Sequence, residues 1–125
     1  MTRSVLDQDH IHPAIRQTVA ASHLDVVAEA RSAIGSNAIV VIGMAQNPFV
    51  RKARKLLDAV GTPYQYLEYG SYFSGWRRRT ALKMWSGWPT FPMVFVQGVL
   101  VGGASQLQGL IDSGELARML AGPRP

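Results

Sequence analysis

The chain has 125 residues, 47% of them hydrophobic, which suits one compact domain with a single core. Thirteen Lys and Arg against eight Asp and Glu leave a formal charge of +5, and the excess clusters at Arg51, Lys52, Arg54, Lys55 and at Arg77, Arg78, Arg79, Lys83. There is no cysteine, which removes disulfides, thiolate metal ligands and sulfur nucleophiles together.

Residues 1–12 are polar and predict a frayed lead-in. From Pro13 a helical pattern runs through Ile15 and Val19, breaks around Ser22-His23, and resumes through Leu24, Val27, Ala30 and Ile34 to Gly35. Ala38-Ile39-Val40-Val41-Ile42 is a continuous, mostly β-branched run, the pattern of a central strand covered on both faces. Asn47-Pro48 pairs a favoured N-cap with a residue suited to the first helical position. The helix it opens carries Val50, Ala53, Leu57 and Val60 on one stripe and ends at Gly61.

Tyr64–Tyr69 reads as a second strand, and about Ser74–Trp85 as a helix bearing the Arg triplet. Pro92–Val96 and Val99–Val101 read as antiparallel strands joined through Gln97-Gly98. Ser105 is the predicted cap of a further helix through Leu107, Leu110 and Ile111, and Ser113-Gly114 breaks it before Glu115–Leu120. A βαβ unit joined by a helix to a ββα unit predicts an α/β, thioredoxin-like architecture: a mixed four-stranded sheet flanked by helices, with an extra N-terminal helical segment. The expected division is residues 1–36 as lead-in and helices, and 37–125 as the domain proper.

Over about residues 37–121 the chain resembles the glutaredoxin family, most of all its monothiol branch. Trp88-Pro89-Thr90-Phe91-Pro92, the following strands, Gly102-Gly103 and the ending Ser113–Leu120 carry the resemblance. A Thr-X-Pro turn of this kind is usually built on a cis proline. Asn47 falls where the family holds its reactive cysteine, Pro48 and Phe49 match the intervening pair, and Val50 takes the second cysteine position. The lysine that the monothiol branch carries before this motif is missing from Gly43-Met44-Ala45-Gln46, and the Cys-Asp after its double glycine is replaced by Ala104-Ser105. Arg79 matches the basic residue that the family uses on a glutathione carboxylate.

The resemblance implies a cleft made of Asn47, Phe49, Val50, Arg51, Arg79, Thr90, Phe91, Pro92, Gly102, Gly103 and Ser105. Thiol-disulfide exchange needs a thiolate, so exchange catalysis is excluded and the reading points away from an enzyme. The expected role is binding of glutathione or of an acidic peptide or partner protein, with no cofactor required and glutathione an optional ligand. The helix N-terminus is expected to attract anions through the Phe49 and Val50 amides. The alternative is a redox or iron-sulfur pathway carrier with glutathione as its only thiol ligand.

Other classes find less support. His10, His12 and His23 lack the carboxylate setting of a metal site, Trp76, Trp85 and Trp88 read as packing residues, and no nucleic-acid, nucleotide or hydrolase motif is present. The basic clusters suit either an anionic partner or solvated helix faces. No apolar run approaches the roughly 20 residues of a membrane span and the N-terminal segment lacks a signal-peptide core, so a cytoplasmic location is expected. Oligomeric state is left open.

Overall fold

A computed structural model describes residues 3–21 and 24–124. The expected break at Ser22-His23 lies outside the described residues. A 3₁₀ turn at Gln8–His10 precedes α1 (Pro13–Ala21), whose Ile15 and Val19 stay about half exposed. Then follow α2 (Leu24–Ser36), β1 (Ile39–Gly43), α3 (Pro48–Val60), β2 (Gln65–Glu68), α4 (Trp76–Ser86), β3 (Met93–Val96), β4 (Val99–Gly102), α5 (Ala104–Asp112) and α6 (Glu115–Ala121).

The four strands form one sheet in the order β2-β1-β3-β4. β1 pairs parallel with β2, through Val41↔Tyr66, and antiparallel with β3, through Val41↔Val94. Alternation along the two central strands supplies both faces of the core. Val40, Ile42, Met93 and Phe95 point to one side, where Val26 and Ala30 of α2 and Leu82 of α4 cover them. Ile39, Val41, Val94 and Val96 point to the other, against Ala53 and Leu57 of α3, Leu107 of α5 and Leu116 of α6. α2 therefore contributes directly to the core. At Gly43 an added Cβ would stand 2.6 Å from Val50 Cγ1, so glycine there lets α3 lie close on β1.

Several boundaries move, each for a local reason. α4 starts at Trp76 and not at Ser74, because Ser71 and Ser74 pair across a turn and Gly75 takes φ 74°. α5 starts at Ala104 with Gly103 as its cap, and the Gly103 N–H donates to Gln106 Oε1 at 3.0 Å. Ser105 thus lies inside the first turn and does not cap it. The β3–β4 turn has φ 51° at Gln97 and 82° at Gly98, the two positive values that a tight right-twisting hairpin needs.

Candidate functional site

The C-terminal ends of β1 and β2 and the start of β3 bring three connections to one end of the sheet. α3 begins there. Asn47 is its N-cap, with extended backbone (φ −92°, ψ 119°), and its Oδ1 accepts the Phe49 N–H at 2.9 Å and the Val50 N–H at 3.1 Å. Pro48 has no N–H to offer, and the Arg51 N–H donates to the Asn47 carbonyl at 3.1 Å. The first turn is closed by its own cap. The two amides expected to face an incoming anion are already engaged, because an amide side chain at this position reaches both donors.

Two grooves flank that cap. One, of about 270 Å³, is lined by Phe49, Thr90, Phe91, Pro92, Gly103 and Ser105, all foreseen, together with Trp88 and Gln106, which were not. The Phe91-Pro92 peptide is cis. Phe91 precedes β3, and among the described residues its main-chain N–H and C=O enter none of the turn, loop or cap hydrogen bonds. Its ring is buried, and Lys83 Nζ stands 5.7 Å from the ring centre. The Trp88 indole N–H is buried with no hydrogen-bond partner among the described residues, close to Gly103. The sequence signal for Trp88 was its place directly before Pro89-Thr90.

The other groove, of about 230 Å³, gathers Asn47, Val50 and Arg51 with Arg54, Tyr66 and Glu68. The Arg54 guanidinium lies 4.0 Å over the Tyr66 ring and its Nε donates to the Tyr64 hydroxyl at 3.4 Å, which firms its protonation. The Tyr66 hydroxyl donates to Glu68 Oε1 at 2.9 Å. Burial first, and that carboxylate second, push the Tyr66 phenol well above its ordinary range.

Two foreseen residues stand apart from both grooves. Gly102 ends β4 with φ 117° and is buried. Arg79 is 8% exposed, and its Nη1 donates to the Tyr69 carbonyl at 2.9 Å and the Ser74 carbonyl at 2.5 Å. Its guanidinium braces the β2–α4 connection from inside.

A β2-β1-β3-β4 sheet with helices on both faces, and a helix start beside a prolyl turn, defines a thioredoxin-like protein. Residues 39–101, from β1 to β4, match the family Glutaredoxin. A glutaredoxin-like protein of Dictyostelium discoideum is 47% identical over 94 residues, covering 75% of this chain and 76% of the relative. A glutaredoxin of Ricinus communis is 33% identical over 87 residues, covering 70% and 85%. The crystal structure of a buckwheat glutaredoxin-glutathione complex superposes with a TM-score of 0.69 at 29% identity, covering 78% of this chain and 88% of that one. The chain belongs to the glutaredoxin family, and it does so without a cysteine.

Proposed function

We propose that this glutaredoxin-family chain binds and does not react: glutathione, or an acidic peptide segment of a partner protein, lies in the groove between Phe49 and Gly103. The observation that carries the reading is the main chain of Phe91, a donor and an acceptor without a partner among the described residues, beside the largely apolar lining of that groove. An extended peptide can pair with such an edge through its own backbone, whatever its side chains. The buckwheat relative, solved with glutathione, supports the choice of ligand class. The chemistry that this family performs with sulfur is absent, since Asn47 offers an amide oxygen and no nucleophile. With the α3 amides engaged, charge recognition falls to side chains such as Lys83 beside the Phe91 ring.

The test is a titration of the isotope-labelled protein with reduced glutathione, followed by amide chemical shifts. Saturable shifts at Phe91, Gly103 and Ser105, with a Kd on the order of 1 mM or tighter, are expected. Absence of shifts at those three amides with glutathione, and with an acidic peptide under the same conditions, refutes the reading.

A further inference from the structure

The connection between β2 and α4 is built as a braced tip. The Ser71 N–H donates to the Ser74 carbonyl at 3.0 Å, the Ser74 N–H returns to the Ser71 carbonyl at 3.3 Å, and the Phe73 N–H donates to Ser71 Oγ at 3.2 Å. Gly70 and Gly75 close its base with φ 71° and 74°, and a Cβ on Gly70 would collide with the Ser74 carbonyl oxygen. Arg79 holds two carbonyls of the same turn from beneath. This fixed backbone displays Tyr72, Phe73 and Trp76 at 59%, 93% and 60% exposure. Three aromatic rings within five residues, each more than half exposed, form a patch that marks an interaction surface.

Charge around the tip selects the occupant. The Arg77 guanidinium lies 5.2 Å from the centre of the Trp76 ring, and neither Arg77 nor Lys83 pairs with a carboxylate among the described residues. The nearby carboxylates are engaged: Asp25 with Arg78 at 3.6 Å, Glu29 with the Tyr69 hydroxyl, Glu68 with the Tyr66 hydroxyl. A broad anionic surface such as a bilayer would meet Asp25 and Glu29 on α2 beside the tip, whereas a narrow chain need not. A nucleic-acid strand would call on several free guanidinium forks, whereas Arg79 is spent on two main-chain carbonyls and the exposed Arg78 already faces Asp25.

The tip is tied to the loop that leads into α3. The Gly70 carbonyl accepts the Ala45 N–H at 2.8 Å, which seats the tip beside the β1–α3 connection. α4 then runs from Trp76 to Lys83, above the Phe91 ring. We propose that Tyr72, Phe73 and Trp76 are the docking surface for an acidic peptide segment of a protein partner. An apolar side chain of that segment packs on the rings, and its carboxylates meet Arg77 and Lys83. Its continuation toward Phe91 rests on the peptide-binding reading of the groove.

The experiment selects a displayed library of random peptides, about twelve residues long, against the full chain, then titrates a synthetic enriched peptide by fluorescence anisotropy. Enrichment of Asp and Glu around at least one large apolar residue is expected. The Y72S/F73S/W76S variant, whose replaced side chains are all exposed, should melt like the wild type and bind about thirtyfold or more weakly. Acid-free selected sequences, no enrichment, or unchanged affinity in that variant would overturn the docking surface. So would binding of anionic vesicles or single-stranded RNA, or self-association, if the triple variant abolishes it while acidic peptides do not bind. A Gly103→Val variant separates the two readings. Loss of affinity there with an indifferent tip variant leaves the groove standing and removes the tip. Loss at the tip with an indifferent Gly103→Val supports the tip and removes the groove.

Discussion

Replacing Asn47 by Ala removes the acceptor for two first-turn amides and little else. The Phe49 N–H is exposed and regains water, whereas the Val50 N–H is part-buried and recovers less. An N-cap deletion of this kind costs about 1–1.5 kcal/mol. At ~2.1 cal/mol/K per residue, a chain of 125 residues has an unfolding entropy of ~0.26 kcal/mol/K, so Tm should fall by about 4–6 °C. Asn47→Asp is the control. It keeps an oxygen acceptor and adds negative charge at the helix start, worth about 0.3–1 kcal/mol, so at neutral pH it should melt at or slightly above the wild type. Thermal unfolding followed by far-ultraviolet circular dichroism reads both variants. An Asn47→Ala midpoint within about 1 °C of wild type, or an Asn47→Asp midpoint as low as that of Asn47→Ala, would refute the assignment of Asn47 as the cap that closes this helix start.

Asn47→Cys places a thiol where the same two amides can hold a thiolate, so its pKa should fall below the ordinary value of about 8.5, as read from thiolate absorbance during a pH titration. The two adjacent glycines should respond differently. Gly102→Ala forces a side chain onto φ 117° and within 2.8 Å of Gln106 Cγ, at a cost of about 1–3 kcal/mol, whereas the nearest atom to a Gly103 Cβ is 3.5 Å away and Gly103→Ala should cost under about 1 kcal/mol. Denaturant midpoints compare the pair. Alkaline stability should depend on Tyr69, whose phenol is pushed up by burial and then by its bond to Glu29. A folded pKa above the unfolded value of about 10 means that this contribution is complete below pH ~10 and lost as pH rises toward the folded value. Tyr69→Phe should therefore flatten the decline of the denaturant midpoint above that pH.

The chain announces most of its framework because the local signals agree. The β-branched run of β1 is buried along its whole length, and Asn47, Pro48 and Gly61 mark α3 to the residue. The Gln97-Gly98 turn is announced by Gly98, which is suited to positive φ, although Gln97 takes φ 51° as well. What could not be read depends on partners brought together by folding. Arg79 looks like a ligand-binding cation in one dimension, and only the Gly70 and Gly75 turns set two carbonyls in its reach. Ser105 has the better capping side chain, yet Gln106 reaches back to Gly103 and the cap falls two positions earlier. Likewise Asn47 was legible as a cap, but not the completeness with which it consumes the amides beside it. Tyr72 and Phe73 sit in a short turn whose sequence says nothing of how rigidly it is held.

The closed α3 start explains how a glutaredoxin-family chain without cysteine holds this helix. A helix that stabilises a thiolate and a helix that needs an N-cap place the same demand on the residue at its mouth: an acceptor for the first amides. Asn47 meets that demand with a neutral oxygen, so the helix start is closed without a sulfur. The consequence reaches binding. On the proposed reading, with the backbone donors consumed, attraction of an anion falls to exposed cations such as Arg77 and Lys83. Exposed charges are screened over about 10 Å at 0.1 M salt and about 3 Å at 1 M, so affinity for an acidic peptide should drop steeply between those concentrations. Affinity that stays constant across that range would place recognition in the aromatic rings and the Phe91 main chain alone, and would remove charge from the account of which partner this site selects.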